Sequence, residues 1–205
     1  FFSSFYSITI KFKFSSNSLM ISYKNLFLKI IKFCITIYTK DMIISLKNKH
    51  TLQVDQFNFK CCIGKNGLTS KKIEGDNKTP TGMYGLEHLY YRKDRIDIPQ
   101  NNLKCIKIKP EMGWCDDPSN KIKINKLIDI NDDVHHEKIY RKDYKYDLFI
   151  PIKYNFNKKI LGKGSCIFIH LTKNYKPTAG CIALKQKDFL IMLKIINKST
   201  KIKIY

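Results

Sequence analysis

Acidic residues and arginine are scarce in this chain, so its charge is strongly one-sided. Asp and Glu together number 17 against 38 Lys and Arg, which gives a formal net charge of +21 at pH 7. Arginine occurs only at Arg92, Arg95 and Arg141, so lysine carries almost all of the positive charge. Lysine shares A/T-rich codons with the abundant Ile, Asn, Phe and Tyr, and genome composition accounts for much of its excess. Proteins that read nucleic-acid sequence favour arginine for bidentate contacts, so the charge favours an anionic polymer without indicating a sequence reader.

The chain also has no C-x-x-C pair and no apolar run of the length that spans a bilayer. The missing pair leaves a structural zinc site with little support, and seven cysteines cannot all pair within one chain. A transmembrane helix needs about 20 apolar residues, and Lys29 and Lys32 interrupt the apolar stretch near the N-terminus. We therefore expect no stable membrane span. Residues 1–41 are predicted to be an extension outside the fold, either a misassigned start or a poor export signal, with the true start at or near Met42.

Residues 42–205 are predicted to form one domain that is mostly β. The stretches "MIISL", "TLQV" and "FNFKCCI" are short apolar or alternating runs separated by polar turns, which is typical of a β-meander. The stretches "YDLFIPIKYN", "CIFIHL" and "KIKIY" predict further strands. Phe189, Met192, Leu193 and Ile196 lie at helical spacing, so an amphipathic helix is expected over residues 186–197. The pattern predicts a mostly β fold with one or two short helices.

A histidine at a strand end and a cysteine after a glycine give the strongest chemical signal. Alternation along "CIFIHL" places Cys166, Phe168 and His170 on one face. The chain then returns to Cys181 within eleven residues of His170, which is short enough for the two side chains to face each other across neighbouring strands. An imidazole beside a thiol lowers its pKa from about 8.5 into the neutral range and makes it a nucleophile. Gly180 permits a tight turn, and the N–H groups of Gly180 and Cys181 are candidate oxyanion donors.

The stretch "HLTKNYKPTAGCIAL" resembles the signature of YkuD-type L,D-transpeptidase catalytic domains, in which a histidine precedes a Ser/Thr-x-Gly-Cys turn. The stretches "EGDNKTPTG", "MGWCDDP" and "HHEKIYRKDYKYD" resemble further segments of a branch of that family. The resemblance extends from about residue 42 to residue 205. It implies a β-sandwich of mixed sheets and a cysteine enzyme that acts on the peptide stems of peptidoglycan, with neither a metal nor another cofactor.

The resemblance also implies a role for each residue of the signature. Cys181 would attack the carbonyl of the third stem residue, expel the terminal D-alanine and form a thioester. An amine of a second stem would resolve the thioester as a 3-3 cross-link, whereas water would resolve it as a carboxypeptidase does. His170 matches the family's base, and the backbone carbonyl of Leu171 would orient its imidazole. Gly180 belongs to the catalytic turn, and Thr178 is assigned to substrate binding.

Two positions depart from the family pattern. Many members carry His before the Gly and Arg two residues after the Cys, where this chain has Ala179 and Ala183. The first change removes a hydrogen-bonding group, and the second removes a contact to a substrate carboxylate. Nucleophile and base are both retained, so the chemistry is expected to persist while the substrate preference stays open.

Three more residues are candidates for substrate binding. Arg141 is expected to replace the missing cation, with His136 nearby as a hydrogen-bonding group. The alternative is that Arg141 pairs with Asp143 or Glu137 on the surface. Trp114 is either a wall of the substrate groove or an anchor of the core.

Three rival functions stay open on the sequence alone. A basic nucleic-acid-binding β-domain would account for the charge and the twelve tyrosines, but it gives His170 and Cys181 no role. A papain-like protease would need a "CGSCW"-type helix start and a histidine after the cysteine, and the chain has neither. A catalytically inactive wall-binding relative would not need both residues. We therefore expect peptidoglycan stem peptides rather than nucleic acid as the partner, a monomer, and a location in the periplasm or cell envelope.

Overall fold

The largest element of the fold is a ten-stranded mixed sheet. The structure is a computed structural model that describes Lys29 and residues 42–205. The predicted extension over residues 1–41 therefore lies outside the described residues, apart from Lys29. The strands and the helix within residues 42–205 are, in chain order, β1 (Ile43–Asn48), β2 (Thr51–Val54), β3 (Phe57–Cys62), β4 (Leu68–Thr69), β5 (Thr79–Pro80), β6 (Gly82–Gly85), β7 (Leu89–Tyr91), β8 (Cys105–Lys107), β9 (Met112–Cys115), β10 (Leu127–Asp129), β11 (His136–Lys138), β12 (Leu148–Pro151), β13 (Phe168–Leu171), β14 (Ile182–Leu184), α1 (Gln186–Ile195) and β15 (Lys201–Ile204).

The large sheet has the strand order β6-β15-β1-β2-β3-β14-β13-β12-β7-β8. Strands β1, β2 and β3 form the predicted antiparallel meander. Strand β15 lies between β1, to which it is parallel, and β6, to which it is antiparallel, so it is inside the sheet rather than at an edge. Strands β13 and β14 are also parallel neighbours. A three-stranded sheet (β10-β9-β11) and the pair β4-β5 complete the described strands.

The large sheet curls so that its two halves share one hydrophobic core. Buried side chains of β1, β2 and β15 belong to the same cluster as those of β12, β13 and β14. Helix α1 covers this core with Phe189, Met192 and Leu193, which are fully buried, and each such side chain stabilises the fold by about 1.5–3 kcal/mol. The prediction of a mostly β fold with mixed sheets and a short helix is confirmed. The described helix is too short and too polar to span a bilayer.

The opposite face of β13 borders a second, aromatic cluster. Phe168 belongs to this cluster, whereas its neighbour Ile169 belongs to the large core, as the alternation along "CIFIHL" predicts. Phe168 packs edge to face against Trp114, with ring centroids 5.4 Å apart. Cys181 lies in the same cluster. The aromatic cluster therefore forms the floor behind the cysteine.

Candidate active site

A cleft of about 480 Å³ is lined by the end of β13, the start of β14 and the turn before β14. The register pairs His170 with Ala183, and Cys181 lies two residues before Ala183 on the same face of the sheet. His170 and Cys181 both line the cleft, as do three other predicted site residues, Leu171, Arg141 and Thr178. The sequence-predicted nucleophile and base therefore belong to one cavity.

The Cys181 thiol is buried and hydrogen-bonded to backbone groups. Its exposed fraction is 8%, its sulphur accepts a hydrogen bond from the Phe168 N–H at 3.3 Å, and the thiol donates to the Cys166 carbonyl oxygen at 3.1 Å. Burial raises the pKa of the Cys181 thiol to about 12, although the hydrogen bond from Phe168 acts in the opposite direction. The thiol is therefore neutral at pH 7 in this state.

The predicted contact between thiol and imidazole is not formed here. We expected His170 to lower the pKa of Cys181 directly, but the hydrogen bonds of this sulphur within residues 42–205 go to Phe168 and Cys166. The register explains the difference, because His170 lies opposite Ala183 and the cysteine is two residues away along the strand. Two strand residues correspond to roughly 7 Å, and this offset along the strand accounts for the missing hydrogen bond between the two side chains.

His170 is a buried, neutral imidazole with a fixed orientation. Its Nδ1–H donates to the Leu171 carbonyl oxygen at 2.9 Å, which leaves Nε2 without a proton. Burial lowers the pKa of His170 to about 4, the nearby positive charges of Lys145 and Arg141 act in the same direction, and the Leu171 carbonyl opposes them. An imidazole in this state can accept a proton through Nε2 over the whole neutral pH range.

The turn before Cys181 requires glycine at position 180. Gly180 has φ 149°, and a Cβ there would lie 2.9 Å from the backbone oxygen of Lys78. The Gly180 carbonyl accepts a hydrogen bond from Thr79 Oγ1 at 2.8 Å. Thr178 Oγ1 accepts from the Gly180 N–H at 3.1 Å and donates to the Cys181 carbonyl at 2.6 Å. The Thr178 hydroxyl is therefore part of the turn's own hydrogen-bond network, although its side chain borders the cleft.

The two predicted oxyanion donors differ in availability. The Gly180 N–H is already bonded to Thr178 Oγ1. The Cys181 N–H has no backbone or side-chain acceptor within residues 42–205. The Cys181 N–H is thus the donor that an incoming carbonyl oxygen can use without displacing a protein contact.

Arg141 lines the cleft but is held by two carboxylates. Its guanidinium makes a bidentate pair with Asp143 at 2.9 and 2.8 Å and a further contact with Glu137 at 3.1 Å. Its guanidinium carbon lies 5.2 Å from the centre of the Tyr146 ring. The hydrogen bond with Asp143 is the main cause that raises the pKa of Arg141. The alternative foreseen from the sequence, pairing with Asp143 and Glu137, is what the structure contains.

Two other predicted binding residues do not line the cleft. Glu137 of β11 lines the cleft. Successive side chains of a strand point to opposite faces, so the side chain of the neighbouring His136 points away from the cleft. The His136 Nδ1 lies 3.0 Å from the Val134 carbonyl oxygen. Trp114 is only 2% exposed and belongs to the aromatic cluster, so it is the core anchor rather than a groove wall.

Among the cleft-lining residues that sequence reasoning missed, Tyr146, Lys145 and Lys176 matter most for the chemistry. Tyr146 packs edge to face against His170, with ring centroids 5.4 Å apart. Lys145 and Lys176 also line the cleft, and neither forms an ion pair with any carboxylate of the described residues. The alternation in "YKYDLF" offered a signal for Tyr146, whereas nothing local distinguishes these two lysines from the many others.

No metal centre is evident in the part of the chain that the structure describes. Among residues 42–205, no group of three His, Cys, Asp or Glu side chains converges so that it could hold a metal ion. The ionisable groups that line the cleft are a thiol, an imidazole, two phenols, two lysines without ion-pair partners and the Arg141 ion-pair cluster.

Comparison with solved structures gives distant matches. The helical cell shape determining protein Pgp2 from Campylobacter jejuni aligns with a TM-score of 0.44 and 20% identity, over 80% of this chain and 48% of Pgp2. Bd1075 from Bdellovibrio bacteriovorus aligns with a TM-score of 0.41 and 16% identity, over 80% and 47% of the two chains. L,D-transpeptidase 1 from Mycobacterium tuberculosis aligns with a TM-score of 0.34 and 9% identity, over 80% and 60%. The aligned part spans about half the length of Pgp2 and Bd1075.

Comparison with family models gives the decisive match. The comparison with curated proteins finds no match. The model of the YkuD family, described as the L,D-transpeptidase catalytic domain, matches residues 39–204. This range includes the cleft, the turn at Gly180 and every predicted site residue. The chain therefore belongs to the YkuD family of L,D-transpeptidase catalytic domains.

Proposed function

We propose that the chain is a cysteine-dependent L,D-transpeptidase that acts on the stem peptides of peptidoglycan. The observation that carries the proposal is that Cys181 and His170 line one cleft, with the His170 Nδ1–H bonded to Leu171 and Nε2 free to take a proton. Family membership supports the same reaction class. Since peptidoglycan lies outside the cytoplasmic membrane, the proposed location is the periplasm or cell envelope.

The first half-reaction forms a thioester. Substrate entry displaces the Cys181 thiol from the Cys166 carbonyl and turns it toward His170. The sulphur then attacks the carbonyl carbon of the third stem residue while its proton passes to His170 Nε2. The Cys181 N–H stabilises the oxyanion. When the C–N bond breaks, the imidazolium returns the proton to the amine of the departing D-alanine.

The second half-reaction releases the enzyme. The amine of a second stem attacks the thioester and gives a 3-3 cross-link, with His170 taking the amine proton and returning it to the Cys181 sulphur. Water in place of the amine gives the shortened stem, which is the L,D-carboxypeptidase reaction. The two outcomes share the same nucleophile and base, so the supply of an amine in the cleft decides between them.

The free cations of the cleft suit an anionic peptide. Lys145 and Lys176 lie at the cleft without carboxylate partners among the described residues, so each can pair with a carboxylate of a stem. Arg141 is engaged by Asp143 and Glu137 and serves to hold the segment beside Tyr146. Lysine supplies a point charge rather than a fork, which favours a loosely oriented carboxylate over a bidentate one.

The test is incubation of the full chain with a purified disaccharide-tetrapeptide, followed by mass spectrometry of the products. The expected products are the disaccharide-tripeptide, free D-alanine and a dimer joined through the third residues. Cys181→Ala should form none of them. The proposal would be wrong if the parent protein left the tetrapeptide unchanged, or if the Cys181→Ala variant still converted it.

A further inference from the structure

A second groove, of about 370 Å³, lies beside the cleft and shares Pro177 with it. It is formed by the end of β3, the turn that follows it, and Tyr175. Gly64 in that turn pairs with Thr178 as an isolated bridge, so the segment 175–178 separates the groove from the cleft. We call this cavity the Tyr175 groove, defined by Lys49, Lys60, Lys65, Tyr175 and Pro177.

The Tyr175 groove collects positive charge around one aromatic ring. Lys60 Nζ lies 4.7 Å from the centre of the Tyr175 ring, and Lys185 Nζ lies 5.4 Å from it. Lys49 and Lys65 add two more exposed ammonium groups to the same cavity. A cavity lined by one sign of charge focuses the field and concentrates counter-ions.

The four lysines that form ion pairs among the described residues all lie outside the Tyr175 groove. Lys72, Lys123 and Lys153 pair with Asp76, Asp132 and Glu87. Across residues 42–205, no carboxylate pairs with any lysine of the Tyr175 groove, and Asp188 is the acidic residue whose charge is felt at Tyr175. The groove therefore has several like charges that an anionic ligand would neutralise.

The groove lies within reach of a substrate that is attached to Cys181. The register pairs Ala183 with Cys62 and Leu184 with Cys61, so β3 is the direct neighbour of β14. Neighbouring strands are about 4.8 Å apart, and two extended peptide residues span roughly 7 Å. A residue of the stem next to the scissile carbonyl can therefore extend past Pro177 into the groove.

We propose that the Tyr175 groove binds a free carboxylate of the donor stem, the α-carboxylate of the γ-linked glutamate that precedes the third residue. This assignment rests on the proposed function. A carboxylate among Lys49, Lys60 and Lys65 forms charge-assisted contacts, and the Tyr175 ring packs against the apolar part of the same residue. The groove supplies the carboxylate recognition that Ala183 and the occupied Arg141 do not.

The test compares two ligands that differ only at that carboxylate. The full chain carrying Cys181→Ala is titrated at low salt with two disaccharide-tetrapeptides, one with the glutamate carboxylate free and one with it amidated. The acid form should bind roughly tenfold more tightly, since one charge-assisted contact separates the two ligands. Adding Lys60→Ala and Lys65→Ala should abolish this preference by weakening the acid form alone.

A matched control removes the same charge elsewhere. Lys104 and Lys107 are exposed and lie before and in the edge strand β8, five strands away from β3 in the sheet order. Adding Lys104→Ala and Lys107→Ala to the Cys181→Ala protein should keep the preference for the acid form. Equal binding of the two ligands to the parent, or an unchanged preference after loss of Lys60 and Lys65, would overturn the proposal.

Two further measurements are needed. The first tests the proposed reaction independently of the groove, and the second tests whether the groove binds phosphate rather than carboxylate. If the protein with Cys181 intact converts neither tetrapeptide, the proposed function fails while the titration still decides the groove. If a single-stranded oligonucleotide binds more tightly than both peptides and loses its affinity on Lys60→Ala/Lys65→Ala, the groove is a phosphate site and the carboxylate assignment is wrong.

Discussion

At the scale of the residue, the candidate nucleophile and base are both neutral at rest. Burial raises the pKa of Cys181 to about 12 and lowers that of His170 to about 4. Because the stable pair at pH 7 is thiol and imidazole, the proton must move during the attack rather than before it. The sequence predicted the two residues from alternation and a short return segment. It could not predict their protonation, which depends on the aromatic cluster and on Tyr146 around them.

A neutral resting pair predicts a steep pH dependence of thiol alkylation. With a thiol pKa of about 12, the rate at which a small neutral electrophile such as iodoacetamide alkylates Cys181 should rise about tenfold per pH unit between neutral and mildly alkaline pH. The rate is followed by mass spectrometry of the peptide that contains Cys181. A plateau at or below neutral pH would show instead that thiolate and imidazolium already form an ion pair at rest.

At the scale of the element, the strand pair β4-β5 fixes the catalytic turn. Thr79 in β5 is fully buried, and its hydroxyl donates to the Gly180 carbonyl and accepts from the Gly64 N–H at 2.9 Å. The Thr79 hydroxyl is thus hydrogen-bonded both to the turn at Gly180 and to the turn at Gly64, which lines the Tyr175 groove. Thr79 belongs to the segment "EGDNKTPTG", which resembles a family motif. The hydrogen bond from Thr79 to Gly180 joins residues that are 101 positions apart in the sequence. Local patterns cannot supply such contacts.

Thr79→Val should therefore loosen the turn without removing a reactive group. Loss of two buried hydrogen bonds should lower the free energy of unfolding by about 1–3 kcal/mol and change the alkylation rate of Cys181. Thr79→Ser keeps the hydroxyl and should retain most of the stability and the parent alkylation rate. Thermal unfolding measures the stability, and the alkylation assay measures the reactivity of Cys181. If Thr79→Val matches the parent in both measurements, Thr79 does not hold the turn in place.

Some of the strands and the helix could be predicted from the sequence, and others could not. The meander β1–β3, the strand β13 and the helix α1 follow from local periodicity and were predicted close to their observed bounds. The insertion of β15 beside β1 pairs Ile43 with Lys201, near the two ends of the domain, and no local pattern encodes it. The pairing of Arg141 with Asp143 and Glu137 was foreseen only as an alternative, since a sequence cannot decide between an ion pair and a free cation.

At the scale of the whole molecule, the curled sheet and the three-stranded sheet together bring distant segments to one site. The residues of the cleft come from the segment before β12, from β11, β13 and β14, and from the turn at Gly180. The Tyr175 groove adds the end of β3 on the other side of Pro177. We propose residues 42–205 as the catalytic domain, in line with the family match over residues 39–204. Under the proposed function, we expect the lysines of the cleft and of the Tyr175 groove to bind the anionic stem.

We propose that Cys181, alone among seven cysteines, carries the acyl group during turnover. It is tested by quenching the full chain in acid during turnover of a disaccharide-tetrapeptide, measuring the intact mass and mapping the adduct by peptide mass spectrometry. If Cys181 is the nucleophile, the peptide that contains it carries one thioester, of the mass of the tetrapeptide donor less D-alanine, and His170→Ala carries none. An adduct on Cys61, Cys62 or Cys115, or conversion of the tetrapeptide by a Cys181→Ala protein, would contradict it.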